Sequence, residues 1–194
     1  NYKTLTVIDN YYLNFLCTII LLLPVFLLTG PFLPDLVIAL SALSFLYFIL
    51  KYKLFNYLNN LYFKIFLAFW LYIVFSSVIS EYLLFSLKSS FFYIRFVLFL
   101  LFFLFLIKKF YYFLNFFFYS LTIALLIVLI DSYFQYYFGK SLSGFYKPDL
   151  RLTGPFEDRQ IVGSFISRLL PLYLFLFFYI YKIFDLKFLF FLSL

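Results

Sequence analysis

Apolar residues run in six stretches of roughly spanning length, at about 12–29, 36–50, 65–79, 91–107, 113–133 and 161–181, and a seventh run begins at 188–192. Short polar segments separate them. About 20 apolar residues in a helix cross a bilayer core, so this pattern predicts an all-α fold. The expected architecture is a polytopic transmembrane helical bundle of six spans plus the start of a seventh. The first stretch is too long for a signal peptide and lacks a small-residue cleavage site. Pro24 inside it predicts a kink, and Gly30-Pro31 with Pro34-Asp35 predicts a tight turn into the second span. Residues 1–194 read as one transmembrane domain with an outer loop at about 139–160. The chain has no methionine and stops inside the seventh run, so it reads as a fragment of a longer protein.

The polar residues that interrupt this pattern carry the functional signal. Arg95, Asp131, Gln135 and Arg168 lie in or beside the spans, and Arg151 lies in the loop before the sixth. An ionisable group within a membrane costs about 2.5–3.5 kcal/mol on insertion scales unless it is paired or faces a wet cavity. Asp131 and Gln135 are four residues apart and share a helix face with Ser120 and Ala124. Gln160, Ser164, Ser167, Arg168 and Pro171 fall on one face of the sixth span. These positions predict that spans four, five and six enclose a polar site, with Asp131 near Arg95 or Arg168. Each also has a structural use: Arg95 can snorkel to headgroups, Asp131 can serve as a packing partner, and Gly163, Ser164 and Ser167 can mediate close helix contact.

Lysine and arginine counts add an orientation. Lys3, Lys51, Lys53, Lys64, Lys108, Lys109, Lys182 and Lys187 fall on one side if the N-terminus is cytoplasmic. The opposite loops carry little beyond Lys88, except for the charged segment 139–160. The positive-inside rule therefore predicts a cytoplasmic N-terminus and an outer 139–160 loop, bringing the polar residues towards the outer face. The net charge of +7 is spread over short loops, which excludes a nucleic-acid patch.

Composition supports the class. The chain is 67% hydrophobic and 12% charged, too apolar for a soluble domain. Its 35 Phe and 20 Tyr are explained by codon bias in an A+T-rich genome rather than by an aromatic cage. With no His and only Cys17, neither a disulfide framework nor a His/Cys metal site is available within these residues. No cofactor is implied.

The loop RLTGPFED, residues 151–158, combines an arginine with a Gly154-Pro155 turn and places Asp158 where it could cap the sixth span. An arginine held beside a helix N-terminus suits an anion. The run RLTGPFEDRQIVGSFISRLLPL resembles the loop-to-helix segment of the bacterial O-antigen ligase and polymerase superfamily. DSYFQYYFGKSLSGF resembles that family's helix ending in an acidic residue, Gln and Gly, and SSFFYIRFVLFLLF resembles its arginine-bearing fourth span. The resemblance covers residues 89–172; the earlier spans match in hydropathy alone.

This resemblance implies a glycosyltransferase of the bacterial inner membrane that uses a glycan on undecaprenyl diphosphate as donor. The acceptor would be lipid A–core, a growing glycan or a protein. Arg151 matches a diphosphate-binding arginine, Arg95 and Arg168 are possible helpers, and Asp131, Gln135, Gly154 and Asp158 would support the site. The family's ligases also use a histidine on a later loop, which this sequence lacks, so the catalytic base is unassigned. A transporter or lipid-linked oligosaccharide flippase is the alternative. It would place polar groups along the whole crossing, whereas the inner halves of these spans are almost uniformly apolar.

Overall fold

The computed structural model describes residues 7–59, 61–146, 151–156 and 159–181. They form helices α1 (Val7–Leu21), α2 (Leu23–Phe26), α3 (Phe32–Tyr52), α4 (Leu61–Val78), α5 (Leu83–Phe92), α6 (Ile94–Lys109), α7 (Phe113–Phe138) and α8 (Val162–Ile180). Helix dominates, and there is no strand among the described residues beyond one isolated bridge between Lys140 and Tyr146.

Four helices are long and apolar enough to cross a membrane: Phe32–Tyr52, Leu83–Lys109, Phe113–Phe138 and Val162–Ile180. A fifth crossing results if the bent pair Ile8–Leu21 and Leu23–Thr29 is one span. The architecture is therefore multi-pass. It has four or five full-length candidates rather than the six expected, because Phe63–Val78 forms only a shorter apolar helix. The expected start of a seventh span lies outside the described residues.

The kink expected in the first span is present. The chain breaks at Leu22 and bends by 46°, and Pro24 opens α2, where its missing N–H is harmless. The expected turn at Pro34-Asp35 is not. Both residues lie in the first turn of α3, which starts at Phe32. A first-turn proline lacks only a donor that has no intrahelical partner, and a first-turn aspartate is favoured by the helix dipole.

The chain divides into two compact units. The first comprises residues 1–18 and 35–110. Its core is aromatic, with Phe45, Phe48 and Phe102 fully buried and Phe102 stacked on Phe105 at 6.1 Å. At one end of this unit, buried Asp9 accepts from Lys51 Nζ at 2.5 Å and from the Tyr52 and Tyr47 hydroxyls. Lys109 donates to Asn10 at 3.2 Å, and Lys108 lies 5.3 Å from the Tyr57 ring centroid. Two lysines, Lys51 and Lys109, thus reach the start of α1.

The second unit comprises residues 19–34 and 111–194, built on α7 with α2 and α8 against it. Phe118 of α7 stacks on Tyr173 of α8 at 5.1 Å. Only 6% of the apolar window of α8 is buried, so most of this helix is free to face lipid or further protein. The helix α7 runs past the expected end at residue 133 to Phe138. Gly139 then terminates it in the left-handed region, at φ +74°, and donates to the Gln135 carbonyl at 3.0 Å.

Candidate functional site

The last two turns of α7 carry the most organised polar structure of the second unit. The stripe expected from the sequence, Ser120, Ala124, Asp131 and Gln135, is buried, and Val128 and Ser132 lie inside with it. Two loops fold back over this end of the helix, and α7 side chains tie each of them down.

Asp131 ties down the first loop. Its Oδ1 accepts the Leu142 backbone N–H at 2.5 Å. The segment it grips is a small hairpin, in which Ser141 N–H donates to the Phe145 carbonyl at 2.8 Å and Phe145 N–H to Ser141 Oγ at 3.0 Å. The other carboxylate oxygen, Oδ2, is buried without a hydrogen-bond partner among the described residues.

Gln135, fully buried, ties down the second. Its Oε1 accepts the N–H groups of Thr153 and Gly154 at 2.9 and 3.0 Å, while Nε2 donates to Thr153 Oγ1 at 2.8 Å. Nε2 also reaches the Phe145 carbonyl at 3.5 Å, joining the two loops. Gly154 is required on two counts. Its φ is +53°, and a Cβ there would stand 2.9 Å from Ser132 Oγ and 3.2 Å from Val162 Cγ2. Phe156 then drops into an apolar cluster with Val128 and Val162, its ring 5.0 Å from that of Phe165.

Arg151 emerges two residues before this anchor. It is exposed and makes no ion pair among the described residues. Arg159 and Lys140 are also exposed. An exposed guanidinium on a short tether from a buried clamp can meet an anion with little entropy left to lose.

Arg168 lies on α8 together with Ser164, Ser167 and Pro171, and all four are exposed, so the expected polar face exists and is uncovered. Pro171 removes the ladder donor from the Ser167 carbonyl, which adds a free acceptor to that face. The cap of α8 is Ile161, with no side-chain hydrogen bond, so the helix begins too late for Asp158 to occupy the cap position. Asp158 itself lies outside the described residues.

The expected partnership of Asp131 with an arginine is replaced by other bonds. Arg95 Nη2 pairs with Asp35 at 2.5 Å, within the first unit, and Asp131 is taken by a backbone amide. No ion pair joins Asp131 to Arg168 among the described residues. Hydropathy places Asp35 in the turn before the second span, whereas it lies in the first turn of α3, within reach of Arg95. The first-turn preference for proline and aspartate was the available signal. Thr153 was missed as well, since a loop threonine carries no periodicity to mark it. The chain matches no protein-family model, no curated protein and no solved structure.

Proposed function

We propose that this chain is a membrane glycosyltransferase of the O-antigen ligase and polymerase type, acting on a glycan carried by undecaprenyl diphosphate. The observation that carries the reading is the Gln135 clamp on Thr153 and Gly154, which anchors the exposed Arg151 at the end of α7. In the transfer step an acceptor hydroxyl attacks the anomeric carbon and gives up its proton to water. The bond to the diphosphate oxygen breaks, and the lipid diphosphate leaves with the electron pair. Arg151 stabilises that leaving charge through a bidentate contact, which a guanidinium makes and an ammonium does not. Arg168, on the open face of α8 with Ser164 and Ser167, offers a second cation. Arg95 spends its charge on Asp35 and supports the fold of its own unit.

The same reading puts the protein in the bacterial inner membrane with a cytoplasmic N-terminus. Lys51 and Lys109 reach the start of α1, which supports that end as the cytoplasmic one. The donor would then be met at the periplasmic face, and the acceptor is lipid A–core, a growing glycan or a protein.

The test is reconstitution in nanodiscs with a synthetic polyprenyl-diphosphate-linked glycan. The wild-type protein is expected to bind this donor, and Arg151→Ala to bind it at least tenfold more weakly. Equal binding by both proteins, or none by the wild type, would overturn the proposal.

A further inference from the structure

We infer that the α5–α6 segment carries a binding groove for an anionic glycerophospholipid of the surrounding bilayer, with Lys88 as its headgroup cation. This inference rests on the first unit alone and is independent of the Arg151 reading.

Leu83–Lys109 is a single candidate span of 27 residues. At 1.5 Å per residue it is about 40 Å long, some 10 Å more than a hydrocarbon core of about 30 Å needs. Lys108 and Lys109 end the helix in polar surroundings, at the Asn10 side chain and the Tyr57 ring. With Lys108 at one hydrocarbon boundary, the residue about 30 Å further up the helix is Lys88. The length of the span therefore sets an exposed lysine at headgroup level on the opposite side.

A concavity of about 500 Å³ opens at that level, lined by Lys88, Ser89, Arg95 and the rings of Phe85, Phe92 and Phe96. Phe85, Phe92 and Phe96 are 83%, 56% and 37% exposed, so they offer faces for acyl chains rather than a closed core. Lys88 has no ion-pair partner among the described residues, whereas Asp35 already offsets the charge of Arg95. The groove thus carries one uncompensated positive charge, which matches a headgroup of net charge −1. A zwitterionic headgroup would bring its own ammonium towards these cations. Arg95 Nε is buried and lacks an acceptor among the described residues.

A second concavity of about 620 Å³ adjoins the first through Phe85 and Ser89, and is lined also by Ser77, Ser86 and Ser90. Ser89 and Ser90 give their hydroxyl protons to the Phe85 and Ser86 carbonyls. Ser90 Oγ is buried and also bonded to Ser77 Oγ, whereas Ser89 is exposed and its oxygen keeps lone pairs for hydroxyl donors. A hydroxylated headgroup satisfies this acceptor, and phosphatidylglycerol combines that feature with the single negative charge.

The test is native mass spectrometry of the detergent-purified protein titrated with phosphatidylglycerol, phosphatidylethanolamine or glycerol 3-phosphate. The wild type is expected to hold phosphatidylglycerol in preference to phosphatidylethanolamine. Lys88→Ala should weaken phosphatidylglycerol binding about tenfold, the worth of one charge-assisted contact, and leave phosphatidylethanolamine unchanged. Lys88→Arg should retain the preference. Undiminished phosphatidylglycerol binding by Lys88→Ala, or equal binding of the two lipids by the wild type, overturns the inference. Displacement of the lipid by equimolar glycerol 3-phosphate also overturns it, by making the groove a site for free phosphate.

Discussion

Gln135 and Thr153, 18 residues apart, are hydrogen-bonded to each other twice, with Thr153 N–H donating to Oε1 and Nε2 donating to Thr153 Oγ1. The pairing fixes which way the buried amide faces, because only one orientation sets its oxygen against the backbone donors. It also converts a helix end and a loop into one piece of structure, from which Arg151 projects.

Gln135→Leu should therefore loosen the loop more than it disturbs α7. It strips the acceptor from two buried N–H groups, at about 1–3 kcal/mol for each one left unpaired, giving an expected loss of roughly 2–6 kcal/mol. Hydrogen exchange is the direct measurement: the Thr153 and Gly154 amides should lose protection while those at mid-α7 keep it. Unchanged protection at 153 and 154 would show that the clamp does not hold the loop.

Gly154→Ala should destabilise the same region by about 1–3 kcal/mol, combining the left-handed backbone penalty with the crowding at Ser132. Ser132→Ala alone should be nearly neutral, since Ser132 Oγ is buried without a partner among the described residues. Combining the two should recover part of the loss, because the crowding oxygen is gone while the backbone penalty remains. Thermal unfolding of the three variants in one detergent separates these contributions; strict additivity would contradict the contact.

The fold was legible in the sequence to the extent that periodicity and hydropathy govern it. The buried stripe 120–124–131–135, the polar face at Ser164, Ser167 and Arg168, and the bend near Pro24 all follow from spacing or from proline chemistry, and all are present. The pairing of charges was not legible. The sequence offered Asp131 as the partner of Arg95, and the actual partner, Asp35, depends on tertiary packing that no local pattern encodes. Hydropathy alone did not settle the number of spans, since four or five helices among the described residues have the length and composition to cross and Phe63–Val78 is a shorter apolar helix. The loop clamp was half visible: Gln135 and Gly154 stood out, but their bond runs through backbone amides that no side-chain pattern encodes.

Removing either member of the Arg95–Asp35 pair should be worse than removing both. An unpaired arginine in a span costs about 2.5–3.5 kcal/mol, whereas the double replacement Arg95→Leu with Asp35→Leu leaves no charge stranded. The check is a double-mutant cycle on thermal stability, and a coupling energy near zero would show that the two residues do not interact.

Asp9 should matter more than Lys51 at the other end of the first unit. Asp9 is buried and accepts from Lys51, Tyr47 and Tyr52, while Lys51 is more than a third exposed and can turn to solvent. Asp9→Ala is expected to lower the melting temperature clearly more than Lys51→Met does. The reverse order would mean that the lysine, not the carboxylate, organises this cluster.

If Arg151 binds the donor diphosphate as proposed, surface glycan in a strain lacking this protein, complemented with single variants, reads that role. Arg151→Ala should abolish transfer at wild-type abundance in the membrane, and Arg151→Lys should lose most of it, since an ammonium cannot form the fork. Arg159→Ala, in the same loop but beyond the clamp, should retain most activity. Wild-type glycan from a stably inserted Arg151→Ala protein would contradict the account.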